Sequence, residues 1–200
     1  RPAPAVPPAS PAAWQIRRTQ IADRLAATAF SWFPENPPPP VARRQPGSRS
    51  KLGGCEGFAR WSEWLLETEP GATVHVFRYE PLAAPADPAL LLVLRRSGDT
   101  PGVLDDEWLP LLERRRIVVM HPRVGESALA GVDHARLERT AALSGRTFAA
   151  LQVWDAMRTL DWALGGTPVP PDAVAIYGRG EAGIAGLYAA LFRPAIGYVV

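Results

Sequence analysis

The 200-residue chain is poor in several things that would each have announced a function. It has one cysteine, Cys55, so no intrachain disulfide can form and a cysteine-based zinc site is excluded. Cys55 sits in GGCEG with no histidine nearby, which reads as a small half-buried thiol rather than a nucleophile. Apolar stretches such as the C-terminal AIGYVV fall far short of the ~20 residues that cross a bilayer, so no membrane span is expected. A basic face for nucleic acid is missing too. Residues 1–50 carry seven Arg against two acids, while residues 51–200 carry fifteen basic side chains against eighteen acidic ones, so the formal charge of +2 belongs to the N-terminal arm. That distribution argues against a nucleic-acid partner. No Met opens the chain. A cleaved signal peptide or an excised segment would each explain such a start, and the reading favours a secreted or periplasmic location over a cytoplasmic one.

What is present is an ordinary folded composition, 47% hydrophobic and 21% charged, enough for one domain with a sizeable core. Residues 1–13, RPAPAVPPASPAA, read as a Pro/Ala-rich tail. Residues 14–51 read as a helix with one buried stripe (Trp14, Ile16, Ile21, Leu25, Ala29, Trp32), stopped by Pro34, then a polyproline connector at Pro37–Pro40 and a polar loop. Residues 52–200 read as the main α/β domain. Its first part has strand spacing at Trp61–Leu66, Thr73–Tyr79 and Leu90–Leu94, an antiparallel meander with a Glu69-Pro70-Gly71 turn. The pattern then alternates: helix at Glu107–Arg114, strand at Ile117–Met120, helices at Ala135–Ala142 and Arg146–Leu164, strand from Val174, helix to Phe192, and a last strand at Ile196–Val200. Nearly continuous apolar strands alternating with helices signal a mostly parallel sheet covered on both faces, expected either to be cut short after its last strand or to end on an edge strand.

The most informative stretch is VAIYGRGEAGIAGLYAA, Val174 to Ala190, in which a strand meets Gly178, Gly180 and Gly183 and leaves as a helix of small residues. Two chemistries use such a corner. A dinucleotide site aims a helix N-terminus at pyrophosphate, and an ester hydrolase lifts a nucleophile out of the sheet. The dinucleotide fingerprint opens its domain and has an acid about twenty residues on, whereas this corner follows several strands and no Asp or Glu comes after Glu181.

The chain resembles the bacterial α/β-hydrolases of the acetylxylan esterase-like and dienelactone-hydrolase-like kind. Five stretches carry the likeness: ETEPGATVHVFRYEP (Glu67–Pro81), LLLVLRRSGD (Leu90–Asp99), IVVMHPRVGES (Ile117–Ser127), Glu138–Leu164 and VAIYGRGEAGIAGLYAAL (Val174–Leu191). The resemblance implies an α/β-hydrolase-like sheet with an N-terminal antiparallel meander, a small ester or acetylated carbohydrate as substrate, no cofactor or metal, and a second domain or further strands beyond residue 200. It places the small-x-nucleophile-x-small elbow on Gly178-Arg179-Gly180-Glu181-Ala182, followed by Gly183, and oxyanion amides at Ser97 and Gly98, beside Asp99. The nucleophile position is then Gly180, which has no side chain with which to attack a carbonyl. Glu181 is the reactive side chain next to it, and reads first as a helix N-terminal acid. His121 stands where that family has an acidic residue and reads as a loop histidine; His75 reads as a sheet-face residue. A triad of Ser127, Asp133 and His134 rests on sequence proximity alone. Arg114–Arg116 read as a helix C-terminal cap, and Trp154 and Trp162 as core anchors. The expectation is esterase ancestry without triad catalysis, with a non-catalytic binding or packing module and a nucleotide-binding protein as the alternatives.

Overall fold

A computed structural model describes residues 7–46, 57, 59–83, 89–96, 99, 108–123, 134–165, 170 and 173–200. Seven strands form one sheet in the order β1-β2-β3-β5-β4-β6-β7. The strands are β1 Val41–Arg44, β2 Ala59–Glu69, β3 Ala72–Pro81, β4 Leu90–Leu94, β5 Arg116–His121, β6 Val174–Gly178 and β7 Ile196–Val199. The pairs β1/β2, β2/β3 and β3/β5 are antiparallel, and β5/β4, β4/β6 and β6/β7 are parallel. The sheet is therefore mostly parallel with an antiparallel N-terminal edge, as the alternating pattern implies.

One expectation about this sheet is corrected. Leu90–Leu94 does not belong to the meander; it lies parallel between β5 and β6, with Leu92 opposite Val118 and Ile176. The reason is burial. All five residues of β4 are buried, and only an inner strand with both faces covered can hide an unbroken LLLVL run. Leu90, Leu92 and Leu94 join the larger core with Val118, Ile176 and Met157, while Leu91 and Val93 face Phe77, Tyr79, Leu112 and Trp108 on the other side. At ~1.5–3 kcal/mol for each large apolar side chain taken out of water, this double-sided strand is a main stabilising element.

The helices are α1 Pro11–Ala27, α2 Leu109–Leu112, α3 His134–Leu143, α4 Phe148–Leu164 and α5 Glu181–Phe192. Helix α4 is capped at both ends: the Thr147 hydroxyl accepts from the Ala150 amide at 3.1 Å, and Gly165 closes it in the left-handed region at φ 59°. It buries eleven of its residues, Trp154 and Leu160 among them. Trp154 is a core anchor whose indole N–H donates to the Thr68 carbonyl at 3.1 Å, and Trp162 packs half-buried on Trp64.

Three further readings change. Helix α1 starts at Pro11 behind the Ser10 cap and buries none of its residues; Trp14 and Ile16 are exposed. The aromatic cluster just after it, Phe30, Trp32 and Phe33, makes the core contact instead. Val41–Arg44, read as the end of a connector and a polar loop, is an edge strand on β2, since backbone pairing needs no apolar side chains. Arg116 is not a helix cap: it opens β5 and donates to the Ala163 carbonyl at 3.2 Å.

Candidate functional site

The connection order makes one crevice special. From β4 the chain moves to β5 on one side, then returns to β6 on the other, so the carboxyl ends of β4 and β6 flank a topological switch point, the place where open α/β sheets hold ligands. A cleft of about 340 Å³ opens there. Its lining includes Arg95, Arg96 and Asp99 after β4, and Tyr177 and Arg179 at the end of β6.

The corner at the end of β6 is strand, turn, helix. Gly180 stands at its apex with φ 59° and ψ −125°, a conformation that strains any residue with a Cβ, and it caps α5 without a side-chain hydrogen bond. Nothing lies within 4 Å of where its Cβ would be, so the apex is sterically open. Gly178 and Gly183 differ. A Cβ on Gly178 would come 2.7 Å from the Ala182 carbonyl carbon and the Gly183 nitrogen, and one on Gly183 would come 2.6 Å from the Gly178 oxygen. Glycine at both positions lets α5 leave the strand at contact distance. Ala182 is buried behind the turn, and Arg179, Gly180 and Glu181 are exposed. Glu181 opens α5, as expected of a helix N-terminal acid.

Around the cleft the charges are tied down. The Arg96 amide donates to Asp99 Oδ2 at 2.9 Å, its guanidinium reaches Oδ1 at 3.3 Å, and Arg95 Nε lies 3.5 Å from Oδ2. Burial raises the Asp99 carboxyl, but the Arg96 amide and the charges of Arg95 and Arg96 outweigh it and hold the group below its ordinary range. Arg179 donates from Nε to the Tyr177 hydroxyl and lies over its ring, while Trp108 meets the same ring edge-on at 4.5 Å.

His121 is not a loop histidine. It ends β5 opposite His75, is 8% exposed, and its ring meets Phe77 edge-on at 5.7 Å. Nε2 has no hydrogen-bond partner among the described residues. Burial first, then the positive field of Arg95, lowers its pKa to about 4, so the ring is neutral at pH 7. Next to it in the chain, Arg123 reaches into a buried network. Arg123 Nε and Nη2 donate to Asp155 at 2.8 and 2.6 Å, the Thr68 hydroxyl donates to Asp155 at 2.6 Å, and Glu69 joins Arg123 to Arg146. Burial pulls the Arg123 pKa down, and Asp155 and Glu69 reverse that, for a net rise. Burial pushes Asp155 up against the pull of Arg123 and Thr68.

Cys55, Ser97, Gly98, Ser127 and Asp133 lie outside the described residues. His134 opens α3. Among the described residues no group of three His, Cys, Asp or Glu could hold a metal ion, and no helix is long and apolar enough to cross a membrane. Sequence reasoning missed Arg95, Arg96, Tyr177 and Arg123; an Arg pair directly after a buried strand was the available signal for the first two.

No family model and no curated protein matches the chain. Solved structures do. A Bacteroides fragilis protein assigned as an acetyl xylan esterase superposes with a TM-score of 0.69 at 15% identity, over 94% of this chain and 52% of its own. A glucuronoyl esterase from Solibacter usitatus gives 0.65 at 17% identity, over 98% and 62%. Acetyl xylan esterase 1 from Thermoanaerobacterium sp. JW/SL YS485 gives 0.56 at 16%, over 90% and 55%. The fold is α/β-hydrolase-like. The chain spans between half and two thirds of the length of these solved structures.

Proposed function

We propose that this α/β-hydrolase-like chain descends from carboxylic ester hydrolases and has given up triad catalysis at the Gly178–Ala182 corner, keeping the cleft beside it for binding. The observation that carries this reading is Gly180, at the apex of a strained strand-to-helix turn with no side chain to form an acyl-enzyme. Solved structures named acetyl xylan and glucuronoyl esterases support the ancestry. The ligand class this ancestry suggests is a small ester or an acetylated carbohydrate. Position in the sheet favours it over nucleotide binding, because the corner follows the sixth strand instead of opening the sheet. The test is turnover of p-nitrophenyl acetate. No turnover is expected for the wild type, and activity that survives Gly180→Ala but is lost with Glu181→Gln overturns the reading.

Packing against another domain is the second reading, and Ile184, Leu187 and Tyr198, each more than half exposed on α5 and β7, favour it. An Ile184→Ser/Leu187→Ser variant that keeps its stability within about 0.5 kcal/mol but loses association in sedimentation supports that role; unchanged sedimentation counts against it.

A further inference from the structure

The described lining of the switch-point cleft carries three guanidinium groups, from Arg95, Arg96 and Arg179, and one carboxylate, Asp99. This concentration of positive charge is local, since residues 51–200 carry more acids than bases. The positive end of α5 begins two residues after Arg179, with the Glu181 carboxylate in its first turn set against it. Val93 and Leu94, both buried, close the end of β4 beneath the charges, and the surface the cleft presents is mostly polar.

We infer that this cleft binds small organic acids, their carboxylate held by Arg179 and Arg96 and their carbon skeleton lying against Tyr177. The inference rests on the reading of the corner as a former ester-hydrolase site, and it gives that site the acid, one of the two products of ester cleavage, as its ligand in place of the neutral ester. Three physical points support it. A guanidinium offers two parallel N–H donors that match a carboxylate, and within the cleft Asp99 already shows a carboxylate taken up by the Arg96 backbone amide and one guanidinium nitrogen. Tyr177 holds Arg179 by its hydroxyl and ring and is itself backed by Trp108, so part of the rotamer entropy of that arginine is already lost before a ligand arrives. The volume of about 340 Å³ suits a small molecule, and the half-buried Tyr177 ring beside the cationic walls gives an acid's carbon skeleton a surface that a fully hydrated inorganic anion does not use. Arg95, only 10% exposed, contributes charge from below through Asp99 without direct contact being required of it.

The test uses 4-fluorobenzoate followed by fluorine NMR line broadening, with neutral 4-fluorobenzamide as its isostere. Expected is saturable binding of the acid, none of the amide, and weakening with added salt. Arg179→Gln and Arg96→Gln, both at exposed side chains, each weaken binding about tenfold, while Arg17→Gln on α1 leaves it within about twofold. Thermal midpoints of all variants confirm that the fold is kept. The inference is overturned if the amide binds as tightly as the acid, if both cleft variants bind like the wild type, or if inorganic phosphate displaces the benzoate at equal or lower concentration. Ester turnover is measured on the same sample. No binding together with no turnover removes the acid site and leaves the loss of catalysis standing; turnover that depends on Glu181 removes both.

Discussion

Arg123 and Asp155 form a two-point ion pair in which Nε and Nη2 of the arginine each meet one carboxylate oxygen, with Asp155 fully buried and Thr68 donating to it from the other side. It ties the turn after β5 to helix α4 and to the end of β2. Removing Asp155 leaves the mostly buried Arg123 with Glu69 alone to balance it. Asp155→Ala should therefore cost about 3–5 kcal/mol in urea unfolding, whereas the double change Arg123→Met/Asp155→Leu, which removes both charges, should cost far less. Equal losses for the single and double variants would show that the pair is not what the site depends on.

His121 gives stability a pH dependence of defined sign. Its folded pKa of about 4 lies below the ordinary 6.5, so between those values the unfolded chain binds a proton that the folded chain does not. Stability is complete above pH 6.5 and falls as the pH drops toward 4. The loss should be about 2 kcal/mol at pH 5. Arg95, His75 and Asp99 face the ring, the first two opposing its charge and the third favouring it. Urea midpoints at pH 7 and pH 5 measure the effect, and His121→Gln should flatten it; an unchanged slope in that variant assigns the dependence to other groups.

The glycines of the corner should separate by mechanism. Gly183→Ala drives a methyl to 2.6 Å from the Gly178 oxygen, a backbone clash that must shift the helix. Gly180→Ala meets open space and costs only the strain of φ 59°, on the order of 1–3 kcal/mol. Thermal unfolding should place Gly183→Ala below Gly180→Ala. The reverse order would mean that strand and helix are not in contact there.

Gly180→Ser adds the missing hydroxyl in space that is free for it. No turnover of p-nitrophenyl acetate should appear, because His75 on β3 and His121 on β5 are separated from the β6 corner by strand β4. Steady release of p-nitrophenolate well beyond one equivalent per chain would contradict this.

Much of the fold was legible because burial writes itself into sequence. The LLLVL run, the helix from Phe148 and the glycines after Tyr177 each follow from period and turn chemistry alone. What stayed hidden depends on neighbours. That β4 sits between β5 and β6 is a matter of pairing, and the same apolar run serves equally in a meander. Val41–Arg44 carries one large apolar residue and is a strand only because β2 offers it a backbone edge. Helix α1 shows the opposite failure, a helical period whose first turns, with Trp14 and Ile16, lie exposed while Leu25 packs against the core only in part. At the site, Gly180 could be read directly, whereas the gathering of Arg95, Arg96 and Arg179 required knowing that β4 and β6 are adjacent.

The position of β4 carries a consequence for how the chain assembles. β2 and β3 form a hairpin that can close as soon as its turn is made, but β4 needs one neighbour from residues 116–121 and another from residues 174–178. Its five apolar side chains wait through more than eighty residues of synthesis for the second flank. A nascent chain halted before residue 174 exposes the stickiest segment of the protein, so aggregation during translation should be governed by how quickly β6 follows.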